Sequence, residues 1–221
     1  VHQHDTPLLN FEMSELLVQE PFPREWWSTI TKRCADAASE GLVGLTEVAS
    51  IGRAEQRVYG FASNRRILGA DGKVRGMRFS RCSDESLNSE PVGTIDPMLR
   101  SLAFRDFKGE LIGTMSFYAT HPQVSNGREM YSADAEGEAM KRLEASCPDG
   151  LHAYFSGPFG NVTAGKYSSP TDLEGNVDQF GGILAKGIMH NLSAMWWEDP
   201  EGFEWVSGGF PFPREELDPE S

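Results

Sequence analysis

The stretch that most restricts how this chain can fold is Glu110 to Thr120, whose centre, Met115–Ala119, is almost continuously apolar. Such a run predicts a central strand covered on both faces, because successive side chains of a strand point to opposite sides. It ends in Thr120-His121-Pro122, so a lone histidine closes the strand just before a residue that cannot extend the ladder. Leu99–Phe104 precedes it across Arg105-Asp106-Phe107-Lys108-Gly109, a hairpin signal.

The remaining pattern alternates strands with helices. Arg24 to Glu40 has helical spacing, with Trp27, Ile30, Cys34, Ala37 and Ala38 on one stripe and Gly41 at the end. Leu42 to Ile51 reads as a strand, and Asp71-Gly72 as a turn that lets Val74–Arg81 pair back. Residues 83–97, with Pro91 and Pro97, read as a surface loop. Ser132 or Asp134 caps a helix running to about Ser146, with Met140 and Leu143 inward. Leu151–Ser156 is a short buried strand, and Val177–Trp196 a helix with Phe180, Ile183, Leu184, Ile188, Leu192 and Met195 at helical spacing. The sum is an α/β fold, a mixed β-sheet flanked by helices.

Composition excludes several classes of function. Of 221 residues, 39% are hydrophobic and 24% charged, as expected of a globular domain rather than a disordered chain. No apolar run approaches the ~18 residues of a membrane span, so stable membrane insertion is not expected. A net charge of −13 opposes binding to nucleic-acid backbones. Cys34, Cys82 and Cys147 lack metal or redox spacing and read as buried thiols, with one disulfide open.

The chemistry-bearing candidates are few. Val1–Pro7 alternates so that His2 and His4 share one face of a strand, a good start for a zinc site. His121 is either a third member of that neighbourhood or a hydrogen-bonded core histidine. His152 and His190 read as structural or exposed. Gly157–Gly165 is either a tight turn or a loop whose N–H groups and Thr163 hydroxyl face a reacting carbonyl. It is not a phosphate-binding loop, since Gly165-Lys166 is followed by Tyr167. Arg65 is a surface charge or a contact for an anion or carbonyl. Asp134 is a helix cap or a carboxylate supporting a metal ligand.

In this order the segments resemble the neutral (alkaline, non-lysosomal) ceramidase family. Val1-His2-Gln3-His4-Asp5-Thr6-Pro7 is similar to that family's Thr-His-Thr-His-Ser-Gly-Pro, and Asn64-Arg65 to its Asn-Arg. Phe117–Pro122 resembles its strand ending in a zinc-binding His-Pro. Ser132-Ala133-Asp134 resembles its Ser-x-Asp, and Gly160-Asn161-Val162-Thr163 its Gly-Asp-Val-Ser. The similarity runs from the first residues to about Gly165.

The resemblance implies a zinc-dependent amidase that splits the N-acyl bond of ceramide-like lipids with a metal-activated water. On that basis His2 and His121 are expected to ligate Zn2+, His4 to hold or polarise the carbonyl, and Arg65 to position substrate. Thr163 stands where the family has an active-site Ser. The departures are Asp5-Thr6 for Ser-Gly and Asn161 and Thr163 for Asp and Ser; Asp5 adds a carboxylate close to the metal histidines. The family completes its zinc site with a Glu and a Tyr further along, so residues 1–221 are expected to be an incomplete single catalytic domain, truncated at both ends. A secreted or periplasmic location and a small-molecule or lipid amide substrate follow from the same resemblance. The alternative is a non-catalytic relative that binds lipid or carbohydrate.

Overall fold

The structure, a computed structural model, describes residues 4–6, 24–128, 130–202, 204–209 and 211. Helix α1 (Arg24–Gly41) is followed by a 3-10 turn at Leu42–Gly44 and strand β1 (Ser50–Arg57). Three short strands come next, β2 (Ser63–Asn64), β3 (Arg66–Leu68) and β4 (Val74–Met77), then helix α2 (Glu85–Ser89). The central hairpin is β5 (Met98–Arg105) and β6 (Leu111–Tyr118). Helix α3 (Asp134–Ser146), β7 (Leu151–Ser156), β8 (Val162–Thr163), helix α4 (Leu173–Ser193) and β9 (Trp196–Glu198) complete the order.

Five strands form one mixed sheet in the order β7-β6-β5-β1-β9. Only β6 and β7 run parallel, joined by the α3 crossover; the other pairs are antiparallel. The expected α/β architecture is therefore present. Among the described residues, no helix is long and apolar enough to cross a membrane.

Helices α3 and α4 cover one face of the sheet. Phe180, Leu184 and Ile188 recur at helical spacing on α4 and are fully buried with Leu99, Phe61 and Leu143. Burial of each such side chain contributes about 1.5–3 kcal/mol. Gly187 lets α4 lie close to β5, because a Cβ there would stand 2.7 Å from Leu99 Cδ2. Buried Asn191 ties the same helix to β5 by donating to the Leu99 carbonyl and the Ser101 hydroxyl, each at 3.1 Å.

The opposite face departs from expectation. Met115 and Phe117 on β6 are only half-buried, with Phe117 stacked on Phe155 of the neighbouring strand at 5.2 Å. The strand is central within the sheet but covered on one face among the described residues. Three other expectations are corrected. Among the described side chains of α1 only Trp27 is buried, while Cys34, Ala37 and Ala38 are exposed. The strand expected from Leu42 begins at Ser50, after the 3-10 turn. Helix α4 stops at Ser193, and Trp196–Glu198 instead pairs with β1, where Trp197 lies against Gly52 and under the Arg105 guanidinium at 3.8 Å. Sheet pairing and this cation–π contact outweigh helical periodicity there. All three cysteines are free thiols, and only Cys82 is buried.

Glu136, in the first turn of α3, is fully buried, and neither carboxyl oxygen has a hydrogen-bond partner among the described residues. Burial, reinforced by the Asp134 charge, pushes its carboxyl well above the ordinary value of 4.5. The native state thus holds a proton that the unfolded chain releases above that value, so stability falls as pH rises from there toward the native pKa. Glu136→Gln should raise the melting temperature at pH 7.5, and the gain should shrink as the melt is repeated down to pH 4.

Candidate metal site at the end of the central strand

The carboxyl ends of parallel strands β6 and β7 are where open α/β sheets place their ligand sites. His121 leaves β6 at that end and is buried. Its backbone N–H donates to the Val162 carbonyl at 3.2 Å, and its ring Nδ1 lies 2.8 Å from the same oxygen. A carbonyl only accepts, so Nδ1 carries a proton, and Nε2 bears the lone pair in the neutral ring. A backbone carbonyl holding the far nitrogen is how metal-binding histidines are commonly oriented.

The His4 ring lies beside it, with centroids 5.7 Å apart and planes inclined by 58°. Phe159 meets the His121 ring edge-on at 4.6 Å. His4–Thr6 form a bend rather than the expected strand, and His4 is exposed. His2 lies outside the described residues. Among the described residues no group of three or more His, Cys, Asp or Glu side chains is placed to hold a metal. What fits zinc here is the donor chemistry of His121 with a second imidazole at its side.

The segments singled out in the sequence meet at this point. Strand β2 pairs with β8, Ser63 opposite Thr163 and Asn64 opposite Val162. Arg65 N–H donates to the Asn161 carbonyl at 2.8 Å, so Arg65 and His121 are bonded to adjacent residues of one segment. The Arg65 guanidinium lies over the exposed Phe79 ring at 5.9 Å, and its buried Nε has no hydrogen-bond partner among the described residues.

Thr163 is placed differently from expectation. It is fully buried; its hydroxyl donates to the Arg78 carbonyl at 3.0 Å and accepts from Gly165 N–H at 3.2 Å. Both hydrogen-bonding roles of that hydroxyl serve the loop. The loop's glycines also serve another purpose than unusual backbone angles, since positive φ occurs at none of Gly157, Gly160 and Gly165. Gly165 is needed for space: a Cβ there would stand 2.1 Å from the Phe79 carbonyl oxygen. The N–H groups of Gly157, Val162, Gly165, Lys166 and Tyr167 are bonded within the protein, which leaves none of them to receive a reacting carbonyl.

Two residues that sequence reasoning did not rank carry much of the frame. Arg78 is fully buried and donates to the carbonyls of Asn64, Leu87, Glu90 and Pro91; burial lowers its pKa. An arginine after a hairpin strand gave no signal in the sequence. Ser125 is the other: its N–H donates to Asp134, and its hydroxyl lies between Asp134 and Asp5. Asp134 is not the expected cap: Ala133 takes that position with no side-chain capping bond, and Asp134 opens α3. It adopts φ 58°, a strained angle that Asp tolerates better than most residues, and accepts from the N–H groups of Val124, Ser125 and Ala135. His152 is structural, joined to Thr114 Oγ1 and the Cys147 carbonyl.

No protein-family model matches the chain, and no curated protein matches it. Among solved structures, the chain is similar to neutral ceramidase from Pseudomonas aeruginosa at 19% identity, over 64% of its own length, with a TM-score of 0.48. A second structure, a ceramidase complexed with C2, matches at 20% identity over 64%, with a TM-score of 0.47. The chain spans 22% of the length of each.

Replacing Asp134 tests its hold on the loop. Asp134→Ala leaves two loop N–H groups without their acceptor and puts alanine at positive φ, for a loss of about 2–4 kcal/mol in urea unfolding. Asp134→Asn, which tolerates the angle and keeps one carbonyl oxygen, should lose less than half of that.

Proposed function

We propose that this chain carries the histidine side of a zinc hydrolase site of the neutral-ceramidase type, cleaving an N-acyl amide bond. The observation that carries the reading is the fixed tautomer of His121. Its Nδ1–H is committed to Val162, which makes Nε2 the nitrogen with a ligating lone pair, on a ring that lies beside that of His4. The motif order described above supports the same assignment.

In this reading His2 and His121 hold Zn2+. Bound zinc supplies Lewis acidity and a water acidified to a pKa of about 7. His4, exposed beside His121, holds the substrate carbonyl. Arg65 positions the substrate through a guanidinium that makes no ion pair with the rest of the described protein. Thr163 acts through the loop, holding it against Arg78 and Gly165. The substrate class is a small-molecule or lipid amide, and the exposed Phe79 ring offers it an apolar contact.

Zinc stoichiometry and affinity at neutral pH, measured by competition with a chromogenic chelator, test the proposal. The chain should bind one zinc, and His121→Ala should abolish stoichiometric binding while the fold is retained. No zinc uptake by the folded chain, and none either by a longer product that supplies the further Glu and Tyr implied by the resemblance, overturns the metal reading and leaves the non-catalytic binding module. Thr163→Ser should retain the zinc site and loop, whereas Thr163→Val should destabilise the protein by about 1–3 kcal/mol by orphaning the Arg78 carbonyl and Gly165 N–H.

A further inference from the structure

The histidines of the site lie far apart in sequence, and the contacts that bring their segments together centre on one hydroxyl. Ser125, fully buried and four residues beyond His121, places its Oγ 2.5 Å from Asp5 Oδ2 and 2.8 Å from Asp134 Oδ2. Asp134 is fixed in place by N–H donors from Val124 and Ser125, within the loop that follows His121. Asp5 directly follows His4, and its carbonyl accepts from Ser132 N–H at 3.0 Å, just ahead of α3. The Asp5 side chain therefore engages Ser125.

We infer that Asp5, Ser125 and Asp134 form a latch that docks the histidine-bearing N-terminal segment against the His121 loop, making Ser125 and Asp5 positioning residues for the metal site. This rests on the metal reading above for its purpose, but not for its geometry. A hydroxyl has one proton to donate and can also accept. Between two carboxylates that proton satisfies one of them. An amide at position 5 supplies a second donor, giving a continuous chain in which residue 5 donates to Ser125 and Ser125 donates to Asp134. The latch thus predicts that Asp5→Asn preserves docking, whereas Asp5→Ala and Ser125→Ala release it. Asp5 is only half-buried, so its alanine variant does not disturb the core.

Two measurements on the full chain decide the matter. The first is hydrogen exchange at the Ser132 amide in metal-free protein. Protection should be present in the wild type and in Asp5→Asn, and lost in both alanine variants. The second is zinc affinity by competition. Each alanine variant should bind about 10–100-fold more weakly, the double variant no more weakly than either single one, and Asp5→Asn within about threefold of wild type. Unchanged Ser132 protection in both alanine variants overturns the latch, as does an additive double variant. Absence of zinc from the wild type removes the affinity readout for this chain; the exchange pattern then decides the latch by itself.

Discussion

The carbonyl oxygen of Val162 is the point on which the site depends. It accepts both the backbone and the ring N–H of His121, so one acceptor fixes where the residue sits and which nitrogen faces outward. Val162 lies opposite Asn64 in the two-residue pairing of β2 with β8, and its own N–H donates to the Phe159 carbonyl. That pairing is too short to stand alone. It is braced by Thr163 on the Arg78 carbonyl, by Ser63 on the Thr163 carbonyl and by the close approach of Gly165 to Phe79.

Arg78 supplies the second layer of this support. Four carbonyls surround its guanidinium, so the residues around α2 are shaped by one cation. Lys166 adds its ammonium to the Asn88 and Glu90 carbonyls. A planar fork with five donors suits a ring of carbonyls in a way that an ammonium does not. The loop therefore has a definite shape although its sequence, rich in serine and proline, promised none.

What the sequence revealed follows from the range of the forces involved. The β5–β6 hairpin, strand β7 and the inward stripes of α3 and α4 were legible, because each depends on local periodicity and turn chemistry. The end of α4 was misread because Trp196–Glu198 answers to an edge strand far away in sequence. The half-open face of β6 was misread because an apolar run reports what a strand can bury, not what covers it. Around His121, the order of the motifs singled out segments that lie together in the fold. The commitment of the Thr163 hydroxyl, the reason for Gly165 and the bridging place of Ser125 were not legible, because each is set by a contact reaching across the fold.

The pairing of Ser63 with Thr163 joins positions 100 residues apart. Closing so long a loop is costly, and a pair of two-residue strands cannot offset that cost alone. The hairpin and the α3 crossover already draw the intervening chain together, so the small pairing inherits its closeness from the large sheet. The orientation of His121 is therefore not a local property that survives when the body loosens. Damage to the distant contacts of α4 with β5 reaches the imidazole as a loss of order, before any residue that touches it has been changed.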